Sequence, residues 1–399
     1  MAQVLRREMG LGGAIVTGLG SILGTGAFVA IGVASGLWGD AVLLAIPIAG
    51  AVALFNGLSS AFLSGRFPVA GGTYEYGYQT LGASWGFTAG WLFLLAKTAS
   101  AAAAALGMAA FLDAPWDPRI TAGMAVVVLT ALVLAGLRRT IIVNSVLVIV
   151  TVGALVVFAF AALTQASPQP PIDGDSIRLG LLPAIPFLFV AYTGYGRIAT
   201  LGEEVRRPEV TIPRAVMWTL ALAVCLYGLV AIGGRALGGE HWGSGIEGGS
   251  TLVDLMTGPY SVVVMIGGIA AMLGALLNLI LGLSRVWLAM GRRNDMPRRL
   301  SRLDHRSSPA TAISISAVPV LIIVAVGDLA VAWSFSAFTV LLYYGITNLS
   351  ALALDRRRWT AWLGLISCAF LSFYVPLSVW VIGAALVSLG LVWQARRRD

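Results

Sequence analysis

Apolar runs of roughly 17 to 25 residues succeed one another along almost the whole chain, each long enough to cross a bilayer as a helix. Such runs leave little choice of fold. In hydrocarbon every backbone N–H and C=O must be paired, so spanning segments are helices or closed barrels, and runs of this length are helices. Twelve are expected, near 10–37, 41–64, 83–112, 119–137, 143–165, 180–202, 213–234, 258–290, 310–327, 329–354, 359–374 and 376–394. The third and eighth are long enough to tilt or to project beyond the bilayer. The expected class is an all-α integral membrane protein, one transmembrane domain over 1–399. A mean hydropathy of +0.88, with 58% hydrophobic and only 11% charged residues, excludes a soluble globular domain. The first run is longer than a signal segment and lacks a small-residue cleavage site, so it is expected to persist as a helix.

Two runs resist a continuous helical reading. GLGSILGTGAF (Gly18 to Phe28) places four glycines inside the first, and AYTGYG (Ala191 to Gly196) interrupts the sixth. Helix-breaking sequence is tolerated at membrane depth only where protein or a cavity faces it, so the two breaks are expected to meet at mid-membrane around a ligand. Counted from the breaks, 10–165 and 180–354 hold five runs each, and 359–394 adds two. An odd number of helices per repeat inserts the second repeat upside down, which gives a 5+5 inverted repeat with broken helices 1 and 6. Close helix packing of the G-x-x-x-G kind is the alternative use of these glycines, but it does not need Ser21 and Thr25 among them. No βαβ pattern surrounds them, which removes a dinucleotide site.

Charge sets the orientation. Arg6, Arg7, Arg66, Arg138, Arg139, Arg206, Arg207, Arg214, Arg292, Arg293, Arg298, Arg299, Arg302, Arg306, Arg356 to Arg358 and Arg396 to Arg398 fall on one side; only Arg119, Arg178 and Arg235 fall on the other. Lys and Arg are retained in the cytoplasm, so both termini are expected there. The net charge of +8 follows from this bias and implies no nucleic-acid partner. Acids gather instead in the outer connections: Asp40, Asp113, Asp117, Asp173, Asp175, Glu240, Glu247, Asp254 and Asp328. Cys225 and Cys368 lie in apolar runs and are expected to be small packing residues. His241 and His305 have no ligand cluster near them in sequence, so no metal is expected. The spans offer no His and no acid, hence no catalytic set and no enzyme.

GLGSILGTGAF resembles the first-helix signature of the amino acid, polyamine and organocation (APC) transporter superfamily. FPVAGGTYEYGYQTLG (Phe67 to Gly82) resembles that family's loop after helix two. FVAYTGYGRIATLGEEVRRPEVTIPRAV (Phe189 to Val216) resembles its sixth helix and following loop, and SRVWLAMGRRNDMP (Ser284 to Pro297) the end of its eighth. The resemblance runs in order over most of the chain. It implies a LeuT-like fold of twelve helices in the cell membrane, alternating access, an amino acid substrate, no cofactor, and H+ or Na+ as coupling ion. It also implies a site: backbone at Gly24, Thr25 and Gly26 holding a carboxylate at a helix N-terminus, and carbonyls of Phe189, Val190 and Ala191 meeting the amino group. Tyr192 and Tyr195 would wall the pocket, with Thr98 and Ala101 from helix three; a stripe of aromatics is as readily core.

Lys97 is the only lysine in the chain and lies midway along the third run. A charge there is expensive unless it faces the bundle interior. Leu94, Lys97, Thr98 and Ala101 share one helical face, which places Lys97 beside the expected pocket. Some family members use a buried lysine in place of a sodium ion, usually from helix five, where this chain has Thr151. Two readings stand: a proton-carrying amine that takes the cation's role, or a structural ammonium bonded to the broken helices. Where many family members carry an acid in helix six, this chain has Gly196 followed by Arg197. That departure favours a neutral or apolar amino acid over the alternative, a polyamine or cationic amino acid exchanger. Glu203, Glu204 and Arg285 gather at the cytoplasmic face, either as an inner gate in which Arg285 pairs with one of the glutamates or as a solvated loop. Pro208 and Pro213 are expected to flank that loop.

Overall fold

The computed structural model describes residues 7–112, 114–166, 168, 171–238, 258–304, 307–327 and 329–398. Arg6, Asp113, Glu240, His241, Glu247, Asp254, His305, Arg306 and Asp328 lie outside the described residues.

The described chain is helical, and its β-pairing is confined to two isolated bridges, Met9 with Val205 and Ala70 with Leu201. The first apolar run is split into α1 (Leu11–Ile22) and α2 (Ile31–Trp38), joined by a π-helical turn at Gly26–Ala30. Then come α3 (Ala41–Arg66), the short α4 (Thr73–Thr80), α5 (Ala83–Leu112), α6 (Pro118–Leu134) and α7 (Leu137–Thr164). The sixth run is split in its turn: α8 (Gly174–Tyr192), a 3-10 turn at Thr193–Tyr195, and α9 (Gly196–Thr200). It is followed by α10 (Pro208–Gly238), α11 (Pro259–Arg292), α12 (Ala310–Val326), α13 (Leu329–Leu354), α14 (Trp359–Ser372) and α15 (Leu377–Arg398). Among the described residues nine segments are long and apolar enough to cross a membrane, and α6, α12 and α14 are shorter apolar helices. At 17, 17 and 14 residues these three are roughly 26, 26 and 21 Å long, against a hydrocarbon core of about 30 Å.

Pro213 departs from expectation. It sits inside α10, which starts at Pro208 rather than beyond the second proline. The proline at the first helical position has no N–H to waste, whereas Pro213 gives up a bond to the Glu209 carbonyl inside the helix, a loss that spans packed against neighbours accommodate.

The helices pack in matched pairs. α5 lies against α13 as α11 lies against α7; α3 against α8 as α10 against α1; α5 against α6 as α11 against α12. Within each match, both partners shift by five apolar runs along the sequence. α14 covers α13 and α3, and α15 lies on α5 and α13. Large apolar side chains such as Ile149, Leu163 and Leu377 point outward, as a bilayer permits. Cys368 is buried and its thiol donates to Asn56 Oδ1 over 3.3 Å, whereas Cys225 is exposed on α10, so only the first is a packing residue.

Candidate functional site

Helix α1 stops at Ile22, where the backbone N–H of Leu23 still reaches Leu19 O, and helical geometry resumes at Thr25. The first N–H groups of a resumed helix have no intrahelical partner and carry the positive end of its dipole. The sixth segment does not unwind fully. It tightens into the 3-10 turn Thr193–Tyr195 before α9 starts.

The two breaks touch. A Cβ added at Gly194 would lie 2.5 Å from the carbonyl of Ser21, and one at Gly26 would lie 2.6 Å from the Ala191 Cβ. Only glycine lets these backbones approach so closely. The Tyr227 hydroxyl of α10 lies 2.5 Å from Ile22 O and 3.1 Å from Ala191 O and shares its one proton between them, binding the end of α1 to the end of α8. Thr193 Oγ1 donates to Val190 O at 2.7 Å, and Tyr344 of α13 donates to Thr193 O at 3.2 Å. Two of the carbonyls expected to meet an amino group, Val190 and Ala191, thus already accept hydroxyl donors. The tight turn keeps them within reach of those side chains.

A cavity opens where the breaks meet. Thr25 and Gly26 line it from the first break and Val190, Ala191, Thr193 and Gly194 from the second. Helix α5 contributes Phe93, Lys97 and Ser100, and α11 contributes Ala275, Leu279 and Gly282. Trp333 of α13 closes one wall and donates to Phe187 O at 3.2 Å. Lys97 is 4% exposed, and its ammonium donates to Thr193 Oγ1 over 2.9 Å. Ser100 shares a 2.7 Å hydrogen bond with Ser336 of α13.

The remaining expected residues stand behind this wall. Gly24 packs against Ala275 and Ala271 of α11. Phe189 is buried edge-on to Tyr344; Tyr192 packs on Tyr227 and donates to Ile46 O at 3.2 Å; Tyr195 packs on Tyr344. Thr98 and Ala101 are buried but do not line the cavity. The lining face of α5 runs through Phe93, Lys97, Ser100 and Ala104, rotated from the expected stripe. Because α5 is buried on nearly every side, no polar face marks which stripe points inward.

Arg197, read in the sequence only as the residue that follows Gly196, belongs to the cavity; a guanidinium within a span was the signal. It lines the cavity from α9, is 3% exposed, and donates through Nη1 to Thr200 Oγ1 at 3.0 Å. The cavity lining therefore holds two cationic side chains and no carboxylate among the described residues.

Beneath the cavity, the end of the bundle where α1 begins is stitched by ion pairs. Arg285 of α11 forms a two-pronged pair with Glu204, Nε to Oε2 at 3.0 Å and Nη2 to Oε1, with both side chains buried. Of the two glutamates expected as its partner, it takes Glu204. Glu203 pairs with Arg292 at 2.6 Å and accepts from the Ala70 backbone at 3.3 Å. The Glu204 carbonyl accepts from Glu8 and Met9 N–H groups, so the segment before α1 is tied to the same loop. Arg293 pairs with Glu75 at 2.6 Å, which holds its guanidinium above the ordinary range. Tyr74 and Tyr78 of α4 donate to Asp295, and burial beside that carboxylate pushes the Tyr74 phenol up. At the opposite end Arg235 pairs with Asp40 at 2.8 Å.

Two interrupted helices meet around this cavity in a bundle of apolar spans, the architecture of a multi-span membrane protein, and its relatives make it a transporter. The amino acid permease family profile matches residues 13–396, and the chain belongs to that family, within the superfamily its motifs resemble. It is a multi-pass protein of the cell membrane. An uncharacterized transporter of Mycobacterium tuberculosis is 40% identical over 99% of this chain and 92% of its own length. The branched-chain amino acid permease BcaP of Lactococcus lactis is 28% identical over 86% of this chain and 81% of its own. Cationic amino acid transporter 4 of Mus musculus is 26% identical over 90% of this chain and 61% of its own.

Proposed function

We propose that this protein is a secondary active transporter that carries an amino acid with a neutral or apolar side chain by alternating access, coupled to protons through Lys97. The observation that carries the reading is the contact of the two interrupted segments around one cavity, with the Lys97 ammonium bonded to the turn of the second. The resumed helix at Thr25 and Gly26 offers backbone N–H groups to the substrate carboxylate. The amino group meets the break of the sixth segment, where Val190, Ala191 and the Thr193 hydroxyl line the cavity. Gly24, Phe189, Tyr192, Tyr195, Thr98 and Ala101 act in this scheme as the packing that fixes those groups.

The five-run shift between matched helix pairs supports a LeuT-like architecture of twelve spans in two inverted repeats plus α14 and α15. The arginine bias supports cytoplasmic termini. The buried Glu204–Arg285 pair, with Glu203–Arg292 beside it, serves as the inner gate. Transport of a cationic side chain, suggested by one relative's name, is opposed by Lys97 and Arg197 in the lining, where a positive guest has no counter-charge.

The test is uptake into proteoliposomes of a panel of labelled amino acids under imposed proton and sodium gradients. Saturable leucine-like or alanine-like uptake driven by a proton gradient is expected. Strong saturable arginine uptake overturns the substrate class, and uptake that follows only sodium overturns the coupling.

A further inference from the structure

Arg197 is out of place as a structural residue. Its side chain is buried, its Nη1 is bonded to Thr200 Oγ1, and its Nε and Nη2 find no partner among the described residues. A guanidinium presents five donors in a planar fork matched to a two-oxygen or spherical anion, and a desolvated, uncompensated charge is among the most costly things a bundle can hold. Among the described residues, Arg285 and Glu204 bear on it electrostatically. Glu204 cannot serve as counter-ion, because both its carboxylate oxygens are held by Arg285. Lys97, on the same cavity wall, adds positive charge.

The backbone makes room for this arginine. Gly282 of α11 lies against it: a Cβ there would come within 3.0 Å of Arg197 Cδ and 3.4 Å of Nε. Gly282 and Arg197 both line the cavity that Thr25, Thr193 and Lys97 border, and the added Cβ would also lie 3.3 Å from Nη1.

From this we propose that Arg197 is an anion subsite of the central cavity, which takes a compact carboxylate or halide through its Nε and Nη2 donors. The proposal rests on the transport reading above and adds to it the chemistry of a second guest. The anion comes either from solution, accompanying a neutral amino acid, or on the substrate itself as a side-chain carboxylate.

The test is thermal unfolding of the purified full-length protein at constant ionic strength in chloride, acetate or gluconate, and with added L-glutamate or L-leucine. A saturable rise in unfolding temperature is expected with chloride or acetate over gluconate if the anion is free, and with L-glutamate over L-leucine if it is substrate-borne. In Arg197→Gln the apparent affinity for that anion falls by roughly tenfold or more, while Arg197→Lys keeps part of it. If either arginine variant fails to fold, Gly282→Ala displaces the fork with the charge retained and weakens the same response. Equal unfolding temperatures of the wild-type protein in all conditions, or a response of unchanged affinity in Arg197→Gln, overturn the proposal. Leucine uptake measured on the same preparations separates the two readings. Anion stabilisation without leucine uptake leaves the subsite standing and removes the neutral-substrate reading, whereas leucine uptake without any anion response does the reverse.

Discussion

Gly194 lies with its Cα against the carbonyl of Ser21, so close that a Cβ would come within 2.5 Å of it. This contact between the turn of the sixth segment and the end of α1 sets the spacing of the cavity.

Gly194→Ala forces backbone from backbone, since the Ser21 carbonyl cannot swing aside like a side chain. Overpacking of this kind costs about 1–3 kcal/mol. The protein is expected to elute as a folded species in detergent yet to lose transport by roughly tenfold or more, a barrier increase of that size. Uptake within a factor of two of wild type removes the breaks from the mechanism.

Tyr227→Phe tests the tie between the breaks. The hydroxyl shares its one proton between Ile22 O and Ala191 O, and deleting it removes the donor that links the two buried carbonyls. A loss of about 1–3 kcal/mol is expected, read as a lower unfolding temperature and a weaker apparent affinity for substrate.

Lys97 decides the coupling. Lys97→Ala and Lys97→Gln are expected to abolish the dependence of uptake on the imposed proton gradient, with Gln keeping a donor for Thr193 Oγ1. Wild-type uptake and pH response in both variants would return Lys97 to a purely structural role. Lost uptake with a retained pH response would move the proton elsewhere.

The ion pairs beneath the cavity differ in weight. Removing one partner of a buried two-pronged pair costs about 3–5 kcal/mol, because the other charge stays stranded. Glu204→Gln is therefore expected to lower the unfolding temperature far more than Glu203→Gln. The Glu203–Arg292 pair, with the arginine side chain 30% exposed, is worth roughly 0.2–1 kcal/mol. Equal effects of the two changes would contradict the burial of Glu204.

Much of this was legible because hydrocarbon punishes irregular backbone. The glycines at 24, 26 and 194 fixed where the helices stop, and the long apolar runs fixed the helices themselves. The orientation of each helix about its own axis was not legible. α5 is enclosed on almost all sides, so Thr98 and Ala101 were as good candidates as Phe93 and Ser100, and only packing against α11 and α13 decides. The fate of the carbonyls at Val190 and Ala191 was hidden for another reason. It depends on hydroxyls of Tyr227 and Thr193, one of them on another helix, and distance in sequence conceals such partners. Arg197 was visible as a charge within a span, but its missing partners are a property of the assembled bundle.

The single lysine has a practical corollary. Apart from the chain's own α-amino group, Lys97 is the only aliphatic amine the protein owns, and it is sealed 4% exposed among helices. An acylating reagent small enough to follow the substrate would therefore mark one side chain, and its rate of reaction there, resolved from that at the α-amino group, would time each opening of the permeation path.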